Sequence, residues 1–173
     1  MSVSYAIILV FTQTKGKTML LEKLTVGEAI SLINNSILDF QDGLSQETIT
    51  KIIFSINNEI QIRDYLLGIP DTYSMPTCKA FLEYLANSVD GAERYSLFTI
   101  LSAYYYETEE IEKAIFALAV ALDTKSDYSL AKLVERVIQA NWPSQAFKSM
   151  REELHPRVID KLNSMQDDLI LVA

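Results

Sequence analysis

The chain has little of the residue types on which many functional sites depend. Cysteine, histidine and tryptophan occur once each, as Cys78, His155 and Trp142. A single cysteine excludes an intramolecular disulfide, and one cysteine with one histidine makes a zinc site only if carboxylates complete it. A Ser-His-Asp or Cys-His arrangement would have to use His155, which we predict to lie in a loop before Pro156.

Glycine and proline are also scarce. Five glycines and four prolines among 173 residues favour long helices over many short strands joined by tight turns. Apolar residues make up 49% of the chain, which is enough for a hydrophobic core and excludes a disordered chain. We therefore expect a single domain over residues 1–173.

Basic residues are outnumbered by acidic ones. The chain has 15 lysines and arginines against 23 aspartates and glutamates, a net charge of −8. Such a chain repels DNA and RNA on average, so direct nucleic-acid binding is not expected. Residues 69–173 carry most of the excess, with 10 basic and 16 acidic residues. This charge suits a basic partner, or it simply keeps the protein in solution.

Long hydrophobic runs are missing as well. The N-terminal stretch "MSVSYAIILVFTQT" has an apolar run at residues 5–11, too short to span a bilayer. No lysine or arginine precedes it, as one would in a signal peptide. We predict a short buried strand at 3–12, no membrane segment and a cytoplasmic location. The tail "LILVA", 169–173, is a second candidate strand, and pairing of the two is left open.

What the sequence does have is apolar residues at helical intervals of three and four. Thr25-Val26-Gly27-Glu28 matches a capping box, and two helices are expected over 25–68, the second capped by Ser45. Residues 1–24 are predicted as strand and turn. The segment "IPDTYSMP", 69–76, is predicted as a joint, followed by a helical region over 77–165 that His155-Pro156 interrupts.

The stretch "LSAYYYETEEIEKAIFALAVALD", 101–123, falls in this second region. Large, leucine, small and aromatic residues are spaced on one helix, and small, large and small residues on the next. These residues are Phe98, Leu101, Ser102, Tyr105, Ala114, Leu118 and Ala121. The pattern resembles one tetratricopeptide repeat over 95–128, with Ser126 where that family has proline. The resemblance implies two closely packed antiparallel helices and a role in binding proteins.

A second resemblance covers about residues 60–150. The stretch "AVALDTKSDYSLAKLVERVIQANWPS", 119–144, is similar to the C-terminal helical part of a family of actinobacterial and phage-borne proteins of unknown function. The similarity is most specific at "DYSLA", 127–131, and "IRDYLLG", 62–68, adds to it. The chain lacks the turn proline of that family, and only the first strand stands in place of its longer N-terminal region. The resemblance supplies no catalytic residues.

Two short motifs suggest ligands but lack required residues. "TKGKT" contains Gly16-Lys17-Thr18 after an apolar segment, but Phe11 stands where a phosphate loop needs glycine. "DTKSD", 123–127, has alternating oxygens, but Tyr128 and Val134 occupy the glycine and glutamate positions of a calcium loop. We therefore predict no cofactor and no metal.

We predict a mainly α fold, an antiparallel helical bundle with one tetratricopeptide-like helix pair and a short N-terminal β-strand. The expected function is that of a non-enzymatic protein-interaction or structural assembly module, acting on a protein partner or by self-association into an oligomer. Exposed tyrosine beside acid is typical of interfaces. The predicted contact residues are Tyr104, Tyr106, Glu109, Glu110 and Trp142, of which Trp142 fits the core equally well.

Two other functions stay open at this point. The first is an acidic inhibitor that occupies a nucleic-acid site on a host enzyme, which requires carboxylates along one continuous face. The second is an enzyme whose site the sequence does not reveal. A closed apolar pocket holding His155 or several convergent acids would favour the enzyme.

Overall fold

The computed structural model describes the backbone of residues 9–14 and 17–170 and the side chains of residues 23–164. Within this part the chain is mainly helical, which confirms the predicted class. The helices are α1 (Val26–Asp39), α2 (Gln46–Asn58), α3 (Ile60–Gly68), α4 (Met75–Asn87), α5 (Tyr95–Glu107), α6 (Ile111–Thr124), α7 (Ser129–Gln139) and α8 (Ser144–Ile170). Short 3-10 helices at Phe40–Asp42, Ile69–Asp71 and Gly91–Glu93 connect some of them.

Two short strands precede the helices. β1 (Leu9–Thr14) pairs antiparallel with β2 (Lys17–Glu22). Residues 3–8 of the strand predicted at 3–12 lie outside the described part of the chain. In the tail predicted as a strand, residues 169 and 170 instead belong to α8, and 171–173 lie outside the described part. No proline or glycine occurs after Pro156 to end the helix earlier.

The predicted helix starts are confirmed where a capping side chain is present. The Glu28 amide donates to Thr25 Oγ1, and Glu28 Oε2 accepts from the Thr25 amide, which completes the capping box. The Ser45 hydroxyl accepts from the Thr48 amide at 3.1 Å and caps α2. The segment 25–68 nevertheless forms three helices and not two, because the backbone is extended at Glu59, between α2 and α3.

The predicted break at His155-Pro156 is wrong. α8 runs without interruption through Pro156. An internal proline removes one backbone hydrogen bond and costs a helix about 3 kcal/mol. The cost is tolerated here because the two preceding turns are held by buried side chains, Arg151 and His155, that pack against other helices.

α5 is the central helix of the fold. It contacts α2, α3, α4, α6, α7 and α8, and ten of its 13 residues are buried. A helix that is covered on all sides needs small or apolar residues around its whole circumference. This explains why Ser96, Thr99 and Ser102 are fully buried beside Leu97 and Ile100.

α6 packs against α5 and α7 through a narrow stripe of small residues. Ala114, Ala117 and Ala121 are at most 1% exposed. The helical spacing of Ile111 and Ile115 with Ala114 and Leu118 predicts that they face inward, but this is wrong, since Ile111 is 41% exposed and Ile115 is 51% exposed. The apolar side of α6 is therefore wider than the surface that its neighbours cover.

Candidate functional site

The two tyrosines predicted as contact residues lie inside the protein. Tyr104 is 1% exposed and Tyr106 is 4% exposed. The Tyr104 hydroxyl donates to the carbonyl of Leu66, and the Tyr106 hydroxyl donates to the carbonyl of Trp142. The prediction of exposed tyrosines is wrong. Other helices cover α5 on all sides, including the sides outside its apolar stripe, where Tyr104 and Tyr106 lie.

The α5–α6 turn holds the first of the predicted acids. Thr108 ends α5 instead of capping α6, since its hydroxyl donates back to the Tyr104 carbonyl at 3.0 Å. Glu109 follows with a φ of 62°, and its exposed carboxylate accepts from the Ser144 hydroxyl at 3.0 Å. Glu109 thus connects this turn to the start of α8.

The second predicted acid, Glu110, is half-buried, and its negative charge is paired with two lysines. Hydrogen bonds from Lys113, Lys79 and Thr108 lower the pKa of the Glu110 carboxyl to about 2. Lys79 lies on α4, so the ion pair links the α5–α6 turn to that helix. A carboxylate paired with two lysines adds little free negative charge to the surface.

Trp142, the last predicted contact residue, lies at a groove that the sequence did not predict. The groove runs between α7 and α8, with α3 and α5 beneath it, and has a volume of about 700 Å³. We call it the α7–α8 groove. The large apolar side chains along it include Leu133, Val137, Trp142, Phe147, Leu154 and Val158.

Three of these side chains have about half of their surface exposed to solvent. Leu133 is 51% exposed, Trp142 is 40% exposed and Leu154 is 45% exposed. Large apolar side chains gathered around one concave site are typical of binding surfaces, whereas scattered ones are not. The exposed walls also show that this is an open groove and not the closed pocket expected of a buried active site.

An ion cluster that includes the buried side chains of Arg151 and Glu107 lies at the groove and anchors α8. Arg151 donates to both carboxylate oxygens of Glu107, at 2.8 and 2.9 Å, and to Asp71. The guanidinium is paired with two carboxylates that accept its hydrogen bonds, as a charge removed from water requires. The cluster joins α8 to α5 and to the 3-10 helix Ile69–Asp71, so one wall of the groove is held firmly.

His155 is one of the side chains that line the groove. The ring is 6% exposed, and its Nδ1 has no hydrogen-bond partner among the described atoms. It packs so closely on α3 that a Cβ added at Gly68 would overlap the imidazole. Burial lowers the pKa of His155; the Asp71 carboxylate opposes this shift and Arg151 adds to it.

The described lining of the groove does not combine His155 with an alcohol or thiol nucleophile. It contains His155 but no serine, threonine or cysteine. Cys78 is buried elsewhere, and burial raises the pKa of its thiol to about 12, which keeps it protonated and unreactive. The described residues also contain no group of three or more potential metal ligands.

The comparisons with known proteins leave the function open. No protein-family model, no curated protein and no solved structure matches the chain. The resemblance to the actinobacterial and phage-borne family therefore stays a prediction. Among the described helices, none is both long and apolar enough to cross a membrane.

The sequence did contain a signal for the groove. Phe147, Met150, Leu154 and Val158 recur at intervals of three and four on α8, and all four line the groove. This spacing continues across Pro156. A helix end at His155-Pro156, as the proline predicts, would divide this stripe in two, and the groove is then not evident from the sequence.

Proposed function

We propose that this protein is a non-enzymatic interaction module that binds an apolar helical segment of a protein partner in the α7–α8 groove. The observation that carries the proposal is the exposure of Leu133, Trp142 and Leu154 around one groove of about 700 Å³. Leaving these side chains in water costs free energy that a bound apolar surface would recover, at roughly 25 cal/mol per Å².

The open shape favours a peptide segment over a small molecule. Small-molecule sites usually enclose most of the ligand surface. Here the walls are themselves 40–51% exposed, so a ligand lying between them keeps one side in solvent. An amphipathic helix has this property, because it buries its apolar stripe and leaves its polar face in water.

The packing of α5 against α6 supports the further proposal of a tetratricopeptide-like pair. The Ser102 hydroxyl donates to the Ala114 carbonyl at 2.8 Å, which requires a close approach of the two helices. Ala114 and Ala121 are fully buried at the contact. Proteins with this repeat usually bind other proteins, and α7 and α8 would extend the pair toward the groove.

The two other functions have less support. A nucleic-acid mimic needs a continuous negative face, but Arg157 and Lys161 border the groove and Glu110 is paired with two lysines. An enzyme needs reactive groups that converge. His155 is the one histidine, and the described groove lining provides no hydroxyl or thiol nucleophile beside it other than the buried phenol of Tyr104.

A selection from displayed helical peptides tests the proposal. We expect the wild-type protein to select peptides with apolar residues at intervals of three and four, and Leu133→Arg to abolish their binding. Leu38→Arg is the matched control, because Leu38 is 68% exposed on α1, away from the groove. Binding that survives Leu133→Arg, or that Leu38→Arg removes equally, contradicts the proposal.

A further inference from the structure

A second cluster of exposed apolar side chains lies on α6. Ile111 is 41% exposed, Ile115 is 51% exposed and Phe116 is 67% exposed. With the exposed Ala119 they cover the side of α6 that α5 and α7 leave uncovered. We call these four residues the α6 face. Together with the three exposed residues of the groove, it accounts for six of the eight large apolar side chains exposed in the described part of the chain.

We propose that the partner of the α7–α8 groove is the α6 face of a second copy of this chain, so that the copies associate head to tail. The inference rests on the proposed function, since it names the occupant of the same groove. It requires two surfaces on one chain that match in length, in apolar character and in charge.

The lengths match. α6 has 14 residues, and at 1.5 Å per residue its axis is about 20 Å long. The wall of the groove on α8 runs from Phe147 to Lys161, 15 residues, and is also about 20 Å long. An α6 helix lying along α8 would therefore keep its exposed side against the wall over its whole length.

The charges are complementary as well. Asp123 is exposed near the C-terminal end of α6, one helical turn from Ala119, and has no ion pair among the described residues. Glu112 is also exposed, but it lies 11 residues earlier, about 16 Å away along the helix axis. On α8, Lys161 also has no ion pair there, and Arg157 has one exposed pair with Glu153 at 3.5 Å. In an α6 helix lying parallel to α8, Asp123 would come opposite Arg157 and Lys161, whereas Glu112 would lie near the other end of the wall.

The two surfaces differ, so the contact is heterologous. Each copy then has one groove and one α6 face to offer, and association continues until a ring closes or a chain of copies grows. A variant that loses only one surface keeps the other. This property separates the proposal from a symmetric dimer, in which a single patch meets itself.

Sedimentation equilibrium of two variants, alone and mixed, tests the inference. We expect the wild-type mass to rise above the 19.6 kDa of one chain as concentration increases. Leu133→Arg removes the groove and Phe116→Arg removes the α6 face, so each alone stays at 19.6 kDa. An equal mixture is expected to give a species of twice that mass, because one intact groove meets one intact face.

Far-UV circular dichroism checks that both variants fold. The control variant Leu38→Arg should associate as the wild type does.

Two results would overturn the inference. One is a wild-type protein that stays monomeric up to about 500 μM, where even a weak contact would be populated. The other is a mixture of the two variants that stays at the mass of one chain. If the wild type stays monomeric but peptide selection still depends on Leu133, the groove binds a different partner and the proposed function stands. If both experiments fail, the groove itself is not a binding site.

Discussion

At the scale of single residues, the contact between Gly68 and His155 sets how closely α8 approaches α3. Gly68 is the last residue of α3, and its φ of −95° is one that any residue can adopt. Here a Cβ would overlap the imidazole ring, so the absence of a side chain is what allows the ring to lie there. The same contact keeps the His155 ring away from water on one side.

Replacement of Gly68 measures this contact. We expect Gly68→Ala to lower the free energy of unfolding by about 1–3 kcal/mol, as overpacking of a filled site does. In a His155→Ala background, the same change should be neutral or stabilising because the ring is gone. Urea unfolding of the four proteins gives the coupling. Equal effects of Gly68→Ala in both backgrounds would refute the close contact.

Burial of His155 also predicts a pH dependence of stability. The folded protein has a lowered pKa for this ring, so it favours the neutral form. The stabilisation is complete above the unfolded pKa, near 6.5, and is lost as pH falls through 6.5 toward the lower folded value. The Asp71 carboxylate opposes the shift of the His155 pKa, and Arg151 adds to it.

The measurement is the free energy of unfolding from pH 8 to pH 5 for wild type and His155→Gln. We expect the wild type to lose more stability below pH 6.5 than the variant, whose amide does not titrate. Glu110 does not contribute to the change between pH 8 and pH 5. Its pKa is lowered from 4.5 to about 2, so the stability that it provides is lost only as pH falls below 4.5. Parallel curves would show that His155 is accessible to water.

At the scale of helices, α8 shows best what the sequence predicts and what it does not. Local signals placed the helix starts well, because a cap such as Thr25 with Glu28 acts within four residues. The continuity of α8 across Pro156 depends on Arg151 and His155 meeting partners on α5 and α3, far away in sequence. No local pattern contains that information.

The same limit explains the misassigned tyrosines and isoleucines. Spacing identified which residues of α5 form an apolar stripe, but Tyr104 and Tyr106 are buried because several helices surround α5. Ile111 and Ile115 are exposed because the helices that pack on α6 do not cover the whole of its apolar surface. The number of neighbours around a helix is a property of the whole fold.

The anchoring of α8 gives a prediction at this scale. Arg151→Ala leaves Glu107, 4% exposed at its side chain, buried without a counter-ion. We expect a loss of about 3–5 kcal/mol in the free energy of unfolding. The paired change Arg151→Met with Glu107→Gln removes both charges and should cost much less. Chemical denaturation compares the two, and an equal loss in both would mean that the cluster acts through packing alone.

At the scale of the whole molecule, the fold leaves apolar surface uncovered in two places, the α7–α8 groove and the α6 face. The net charge of −8 keeps such a chain in solution but repels other copies at long range. Arg157 and Lys161 at the groove and Asp123 on α6 would provide local attraction against that repulsion. Helix class was predictable from sequence, and so was the apolar stripe of α8 that forms one wall of the groove. The pairing of that wall with α7 was not predictable, because the sequence does not state the relative placement of helices.

The fluorescence of Trp142 tests the central claim, that the α7–α8 groove binds an apolar helix, most directly. Trp142 is the single tryptophan of the chain and is 40% exposed at the groove, so its emission reports occupancy without a label. During titration with a selected helical peptide that itself lacks tryptophan, we predict a saturable shift of the emission to shorter wavelength, absent in Leu133→Arg. A peptide that binds while the Trp142 emission stays unchanged would contradict the account, because binding would then occur outside the groove.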